Sequence, residues 1–212
     1  GYVKRIEAAV KALSQNKVKL DCKVCQLVKL YKNGKPYKMS KRAGEFISAN
    51  DLLNEVDKDS LRFMMLNRSN DVELDFDFNK VLEKNKDNPV YYVQYSFARI
   101  SSVFRTLNID SNEKISFKPD GFKMNDFEVK IIKKIFEWPK VIESASIKYE
   151  PHRISYYLYE LATLFHSYWS KGNENQNYRI IENGKIRSSS TLATLILVSI
   201  VLQRGMNILG VS

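Results

Sequence analysis

Lys38, Ser40, Lys41 and Arg42 crowd one short stretch, KPYKMSKRAGEF (35–46), beside a conformationally permissive Gly44. These side chains carry hydrogen-bond donors, and three of the four carry a positive charge. A loop of this kind can wrap a polyphosphate, each ammonium acting as a mobile point charge on the oxygens. The phosphate-binding pattern G-x-x-x-x-G-K-[ST] does not occur in the chain, so a Walker-type loop is excluded. A mobile cationic loop suits a reaction in which charge grows on a departing pyrophosphate. Donors aimed at that growing charge stabilise the transition state more than the ground state.

The elements around this loop follow from periodicity. Val3, Ile6, Val10 and Leu13 recur at helical spacing, opposite Lys4, Arg5, Glu7 and Lys11, and predict an amphipathic helix ending near Ser14-Gln15-Asn16. From 18 to 30 the period becomes two, which predicts a strand with Val18, Leu20, Cys22, Val24, Gln26, Val28 and Leu30 on its buried side. Asn33-Gly34 supplies the positive φ values of a type I′ hairpin turn, and the chain returns through Pro36-Tyr37 into the cationic loop. Ser48 with Asp51 predicts a capping box for a short helix through Leu52, Leu53 and Val56, and Asp57 caps the next. Asp77 is expected to open a longer helix that Pro89 kinks or restarts.

Beyond Pro89, VYYVQYSFARISSVFRTL reads as a helix dense in aromatic side chains. Residues 108–121 read as a loop. Helices are then predicted at about 125–147 with a break at Pro139, at 151–170 with Pro151 in the first turn, and at 189–207. The fold class is therefore mostly α: an all-helical C-terminal half preceded by a small α/β region with a β-hairpin.

Net charge is +10 overall and unevenly placed: +9 over 1–50, −4 over 51–88 and +5 over 89–212. Two basic regions flanking an acidic connector fit a polyanionic partner such as RNA or a nucleotide phosphate. The run LATLILVSIVL (192–202) is too short to span a bilayer, and the opening residues lack a signal-peptide core. A cytoplasmic protein without a membrane partner is expected. Cys22 and Cys25 form a single C-x-x-C, without the second pair that a structural zinc site needs. His152 and His166 stand fourteen residues apart on one predicted helix, roughly 21 Å along its axis, and cannot share a metal. No bound metal or prosthetic group is expected, and the cysteines read as reduced structural residues.

KMSKR resembles the KMSKS-type loop of class I aminoacyl-tRNA synthetases. GYVKRIEAAVKAL, QLVKLYKNGKPYKMSKRAGEFI, DSLRFMMLNRSNDVELDFDF and KDNPVYYVQYSFARI together narrow the resemblance to the bacterial arginyl-tRNA synthetase family. LYELATLFHSYW and RGMNILGV resemble the helical anticodon-binding domain of that family. The resemblance runs along essentially the whole chain, with its motifs in the expected order.

The resemblance implies a C-terminal portion of such an enzyme. Residues 1–76 would be the end of a Rossmann-type catalytic domain and 77–212 the anticodon-binding domain. The family's reaction joins arginine to the α-phosphate of ATP bound with Mg2+, releases pyrophosphate, and passes the aminoacyl group to the 3′ end of tRNA(Arg). Carried over by position, Lys41 would be the main stabiliser of the pyrophosphoryl charge and Lys38 its helper. Met39, Ser40 and Arg42 would lie near the adenosine and phosphates. Tyr92, Gln94, Tyr95 and Arg99 are the candidates for contacting tRNA. The family's HIGH motif and its arginine-binding residues have no counterpart in these 212 residues, so the isolated chain is expected to be inactive, and a monomer. Alternatives at this level are a stand-alone, non-catalytic helical tRNA-binding protein and another class I synthetase such as the cysteinyl enzyme.

Overall fold

The structure, a computed structural model, describes residues 1–37, 47–109 and 123–212. The cationic loop at 38–46 and most of the loop expected at 108–121 lie outside them. Helix α1 (Tyr2–Leu13) ends as expected, with Gln15 and Asn16 in left-handed conformations. Its apolar stripe is uncovered: no residue of α1 is buried, Ile6 is 50% exposed and Leu13 87%.

The long strand predicted over 18–30 is a correction. Strand β1 spans only Val28–Lys32, and Val18, Val24 and Leu27 are exposed. Alternation alone cannot hold a strand without partners, and here both partners are short. Strand β2 (Lys35–Pro36) pairs antiparallel across the Asn33-Gly34 turn, and β3 (Leu74–Asp77) pairs parallel from Val28 to Tyr31. Both turn residues have positive φ, +54° and +71°, as a type I′ turn requires. Cys22 and Cys25 lie in the irregular, exposed segment before β1, not on a strand and not buried.

Helix α2 (Ala49–Glu55) begins with the expected capping box: Ser48 Oγ accepts from Asp51 N–H at 3.2 Å and Asp51 Oδ2 from Ser48 N–H at 2.8 Å. Asp57 caps α3 (Lys58–Leu66). Helix α3 faces two ways. Leu61, Met64 and Met65 join a small core of Leu30, Val56, Phe76, Phe78 and Val81, whereas Phe63 is buried in the large helical core.

Asp77 caps only a short helix, α4 (Phe78–Leu82), and not the longer one expected. The Asn88 carboxamide explains the break, donating to Val81 O at 2.7 Å and Glu83 O at 2.8 Å and so satisfying carbonyls that a further turn would have used. Pro89 then opens α5 (Pro89–Thr106). The break at Pro139 separates α6 (Asp126–Phe136) from α7 (Trp138–Lys148), and α8 (His152–Glu174) runs four residues past its expected end.

The C-terminal half also contains a small hairpin that the periodicity did not predict. Strands β4 (Ile181–Glu182) and β5 (Lys185–Ile186) meet at Asn183-Gly184, again both at positive φ. Helix α9 (Ser189–Leu209) closes the chain at Gly210, in a left-handed conformation suited to glycine. By length and composition α9 could cross a membrane, yet twelve of its residues are buried in this core.

The core is built from α5, α6, α8 and α9. At its centre lies Glu128, 1% exposed, whose two oxygens accept from Asn125 N–H (3.0 Å), Ser190 Oγ (3.1 Å), Tyr168 Oη (2.9 Å) and Thr191 Oγ1 (2.6 Å). Burial, reinforced by the carboxylate beside it, pushes the Tyr168 hydroxyl up to about 12, so it stays a donor. This one side chain ties α6, α8 and α9 together. Gly205 lets α9 approach α8: a Cβ there would sit 2.5 Å from Leu158 Cδ2.

Glu128→Gln puts an amide donor against hydroxyl and N–H donors and is expected to cost about 3 kcal/mol, read as a lower urea midpoint. An unchanged midpoint would show the network to be dispensable. For Gly205→Ala, overpacking costs about 2 kcal/mol against about 1 kcal/mol regained in helix propensity. A net drop in stability is expected; a rise would contradict the close approach of α8 and α9.

Candidate nucleic-acid interface

Along α5, residues 91, 95 and 99 repeat at four-residue spacing and share one edge of the helix. The Tyr91 and Tyr95 rings stack there at 5.6 Å between centroids. Arg99 reaches back over Tyr95, its guanidinium carbon 4.2 Å from the ring centre, and donates to Tyr95 Oη at 2.8 Å. Helix α8 packs beside α5 and supplies Trp169, whose ring centre is 5.1 Å from the same carbon. His166 lies beneath, with Nδ1 3.3 Å from an Arg99 nitrogen.

The result is a cation held against two aromatic faces at a partly open edge, with Tyr95 38% exposed. Such an edge offers a flat surface for an unstacked base and donors for a phosphate or a base edge.

Tyr92 sits behind this edge. It is half-buried, with its ring 4.2 Å from His166 and 5.5 Å from Tyr159, and burial raises its hydroxyl pKa. Gln94 points elsewhere: its amide donates to Ser212 O at 2.9 Å, in an apolar groove of about 380 Å3 between α5 and α9. Of the four tRNA-facing candidates, then, Tyr95 and Arg99 come together, Tyr92 supports them from behind, and Gln94 lies on another side. Tyr91 was not singled out from the sequence, although its spacing to Tyr95 and Arg99 is visible there. His166 and Trp169 reach the Tyr95–Arg99 edge from α8, a placement that needs the α5–α8 contact and is not legible from either helix alone.

Lys38, Met39, Ser40, Lys41 and Arg42 lie outside the described residues. Their flanks are described: Tyr37 N–H donates to Leu30 O at 2.7 Å on one side, and the Ser48–Asp51 capping box stands on the other. Among the described residues no group of three or more histidine, cysteine, aspartate or glutamate side chains could hold a metal ion.

Comparison with known proteins places these features in context. The family model of the DALR anticodon binding domain matches residues 93–212, which include most of α5 and all of α6 to α9. The chain is similar to the arginine–tRNA ligase of Pelagibacter ubique, 57% identical over 211 residues that make up all of this chain and 37% of that protein. It is 48% identical over 217 aligned positions to the arginine–tRNA ligase of Ruegeria pomeroyi, again over the whole chain and 37% of the relative. The chain thus spans little more than a third of the length of these relatives.

Among solved structures, one assigned as an arginyl-tRNA synthetase from Campylobacter jejuni superposes with a TM-score of 0.80 at 29% identity, over 100% of this chain and 44% of its own. The arginyl-tRNA synthetase of Thermus thermophilus, at 19% identity, shares the fold with a TM-score of 0.62 over 88% of this chain and 34% of its own. Because the matched domain takes in more than half of its residues, the chain belongs to the DALR anticodon binding domain family.

Proposed function

We propose that this chain is the tRNA-handling portion of an arginine–tRNA ligase. Residues 77–212 dock the anticodon of tRNA(Arg), and residues 1–76 form the end of the catalytic domain and present the phosphate loop. The observation that carries the reading is the position of Arg99 against Tyr95 and Trp169 at an open edge of the matched domain. Stacking on such faces tolerates any base, whereas guanidinium donors select for phosphate or base-edge acceptors. The likeness of the whole chain to arginine–tRNA ligases supports arginine as the amino acid and ATP, bound with Mg2+, as the activating substrate.

In this reading the arginine carboxylate attacks the α-phosphate of ATP and pyrophosphate leaves, taking the electron pair of the broken phosphoanhydride bond. Lys41 neutralises the charge that grows on the departing oxygens, and Lys38 assists. Met39, Ser40 and Arg42 border the adenosine and phosphates. The uncovered stripe of α1 fits packing against the remainder of such a ligase. A cytoplasmic, monomeric enzyme accords with the reading.

Two experiments test it. Arg99→Ala in the 212-residue chain should weaken binding of an arginine-accepting tRNA roughly ten- to a hundredfold, as expected for the loss of one stacking cation. The affinity of the unaltered chain should fall steeply with salt, because phosphate contacts release counterions. Undiminished binding by Arg99→Ala would remove the interface from consideration. In a full-length ligase carrying this segment, Lys41→Ala should slow arginine-dependent ATP–pyrophosphate exchange by about 3 kcal/mol in the transition state, with little change in tRNA affinity. Equal losses in both assays would make the loop a plain RNA-binding patch.

A further inference from the structure

His166 is buried beneath the interface, and two independent contacts fix where its proton sits. Nε2 lies 3.2 Å from the Tyr92 carbonyl oxygen, which can only accept, so the hydrogen is on Nε2. The Ser96 hydroxyl, 2.8 Å from the same nitrogen, donates its own hydrogen to that carbonyl at 3.1 Å and accepts from Nε2–H. On the other side of the ring an Arg99 nitrogen approaches Nδ1 at 3.3 Å. A guanidinium can only donate, so Nδ1 must present a bare lone pair. Both sides of the ring therefore require the same neutral tautomer.

We propose that His166 is the positioning residue of the RNA-binding edge: neutral and protonated at Nε2, it uses Nδ1 to hold the Arg99 guanidinium against Tyr95 and Trp169, ready for a base. This inference rests on the reading of that edge as the tRNA interface. Tyr92, Tyr95, Ser96 and Arg99 face the imidazole from α5, and Phe165 and Trp169 neighbour it on α8. Arg99 is the one charged group among them. A proton on Nδ1 would set an N–H and a second positive charge against the guanidinium and push it off its aromatic seat. Burial lowers the pKa of His166 below the ordinary histidine value, the Tyr92 carbonyl opposes this, and the Arg99 charge lowers it further. The neutral form therefore persists through neutrality, and the Arg99 seat is lost as the pH falls past that depressed value.

The test combines nitrogen NMR of the two histidines with tRNA binding by the full 212-residue chain. His166 should show the Nε2–H tautomer and titrate below the ordinary value of about 6.5, and Arg99→Gln should raise that midpoint. His166→Phe keeps a ring but removes the acceptor. It should weaken binding of an arginine-accepting tRNA about tenfold at pH 7.5 and abolish the further loss that the native chain shows on acidification. His166→Asn restores an acceptor near the Nδ1 position and cannot be protonated, so its affinity should lie within about threefold of native and stay flat with pH. An Nδ1–H tautomer, a midpoint indifferent to Arg99→Gln, or equal impairment in the Phe and Asn variants would overturn the role of His166. Failure of the native chain to bind tRNA at all would instead overturn the RNA reading beneath it, while tautomer and midpoint still judge the His166–Arg99 contact by itself.

Discussion

A guanidinium held by neutral groups is the feature on which the functional reading turns. Several other cations in the structure are neutralised by carboxylates: Lys29 by Glu73, Lys32 by Glu55, Lys134 by Glu137 and Glu160, and Arg153 by Glu150. Arg99 rests instead on the faces of Tyr95 and Trp169, a hydroxyl and an imidazole lone pair. A carboxylate partner would fix it equally well but cancel its field. Aromatic quadrupoles and neutral acceptors fix the group while leaving its charge for an incoming phosphate or base. The arrangement gains orientation without giving up electrostatic attraction.

That seat exists only because α5 and α8 lie side by side, and their placement depends on the buried centre of the bundle. Glu128 gathers donors from α8 and α9 onto the first turn of α6, and the missing side chain at Gly205 lets α9 settle against Leu158 of α8. Helix α3 links this bundle to the small sheet. Phe63 enters the helical core, the Arg62 side chain donates to the Leu209 carbonyl, and Asp59 accepts from Ser212 N–H at 3.0 Å. Helix α3, which follows α2 in the chain, is thus bonded directly to the C-terminal end of the bundle.

Where local chemistry decided the outcome, the sequence was a good guide. Asn33-Gly34, the Ser48–Asp51 box, the Asp57 cap and the break at Pro139 all appear where their residue types demand. The same Asn-Gly pair at 183–184 also turns a hairpin, but it lies in a polar stretch without long alternating runs to flank it. The failures came where partners decide. Residues 18–27 alternate like a strand but find too short a sheet to pair with, and the helix after Asp77 ends early because the Asn88 amide, six residues past its end, takes the Val81 and Glu83 carbonyls. Tyr95 and Arg99 entered as candidates through the family resemblance of the stretch that holds them, and the structure sets them side by side. Trp169 and His166 required knowing which face of α8 meets α5.

The central claim is that tRNA lies across the edge formed by Tyr95, Arg99 and Trp169. Photo-crosslinking of thiouridine-substituted arginine tRNA to the 212-residue chain, followed by peptide mapping, addresses it directly. The account predicts crosslinks from the anticodon loop to peptides of α5 and α8 that contain Tyr95 and Trp169. Anticodon-loop crosslinks confined to the basic segment of residues 1–37, with none on α5 or α8, would contradict it.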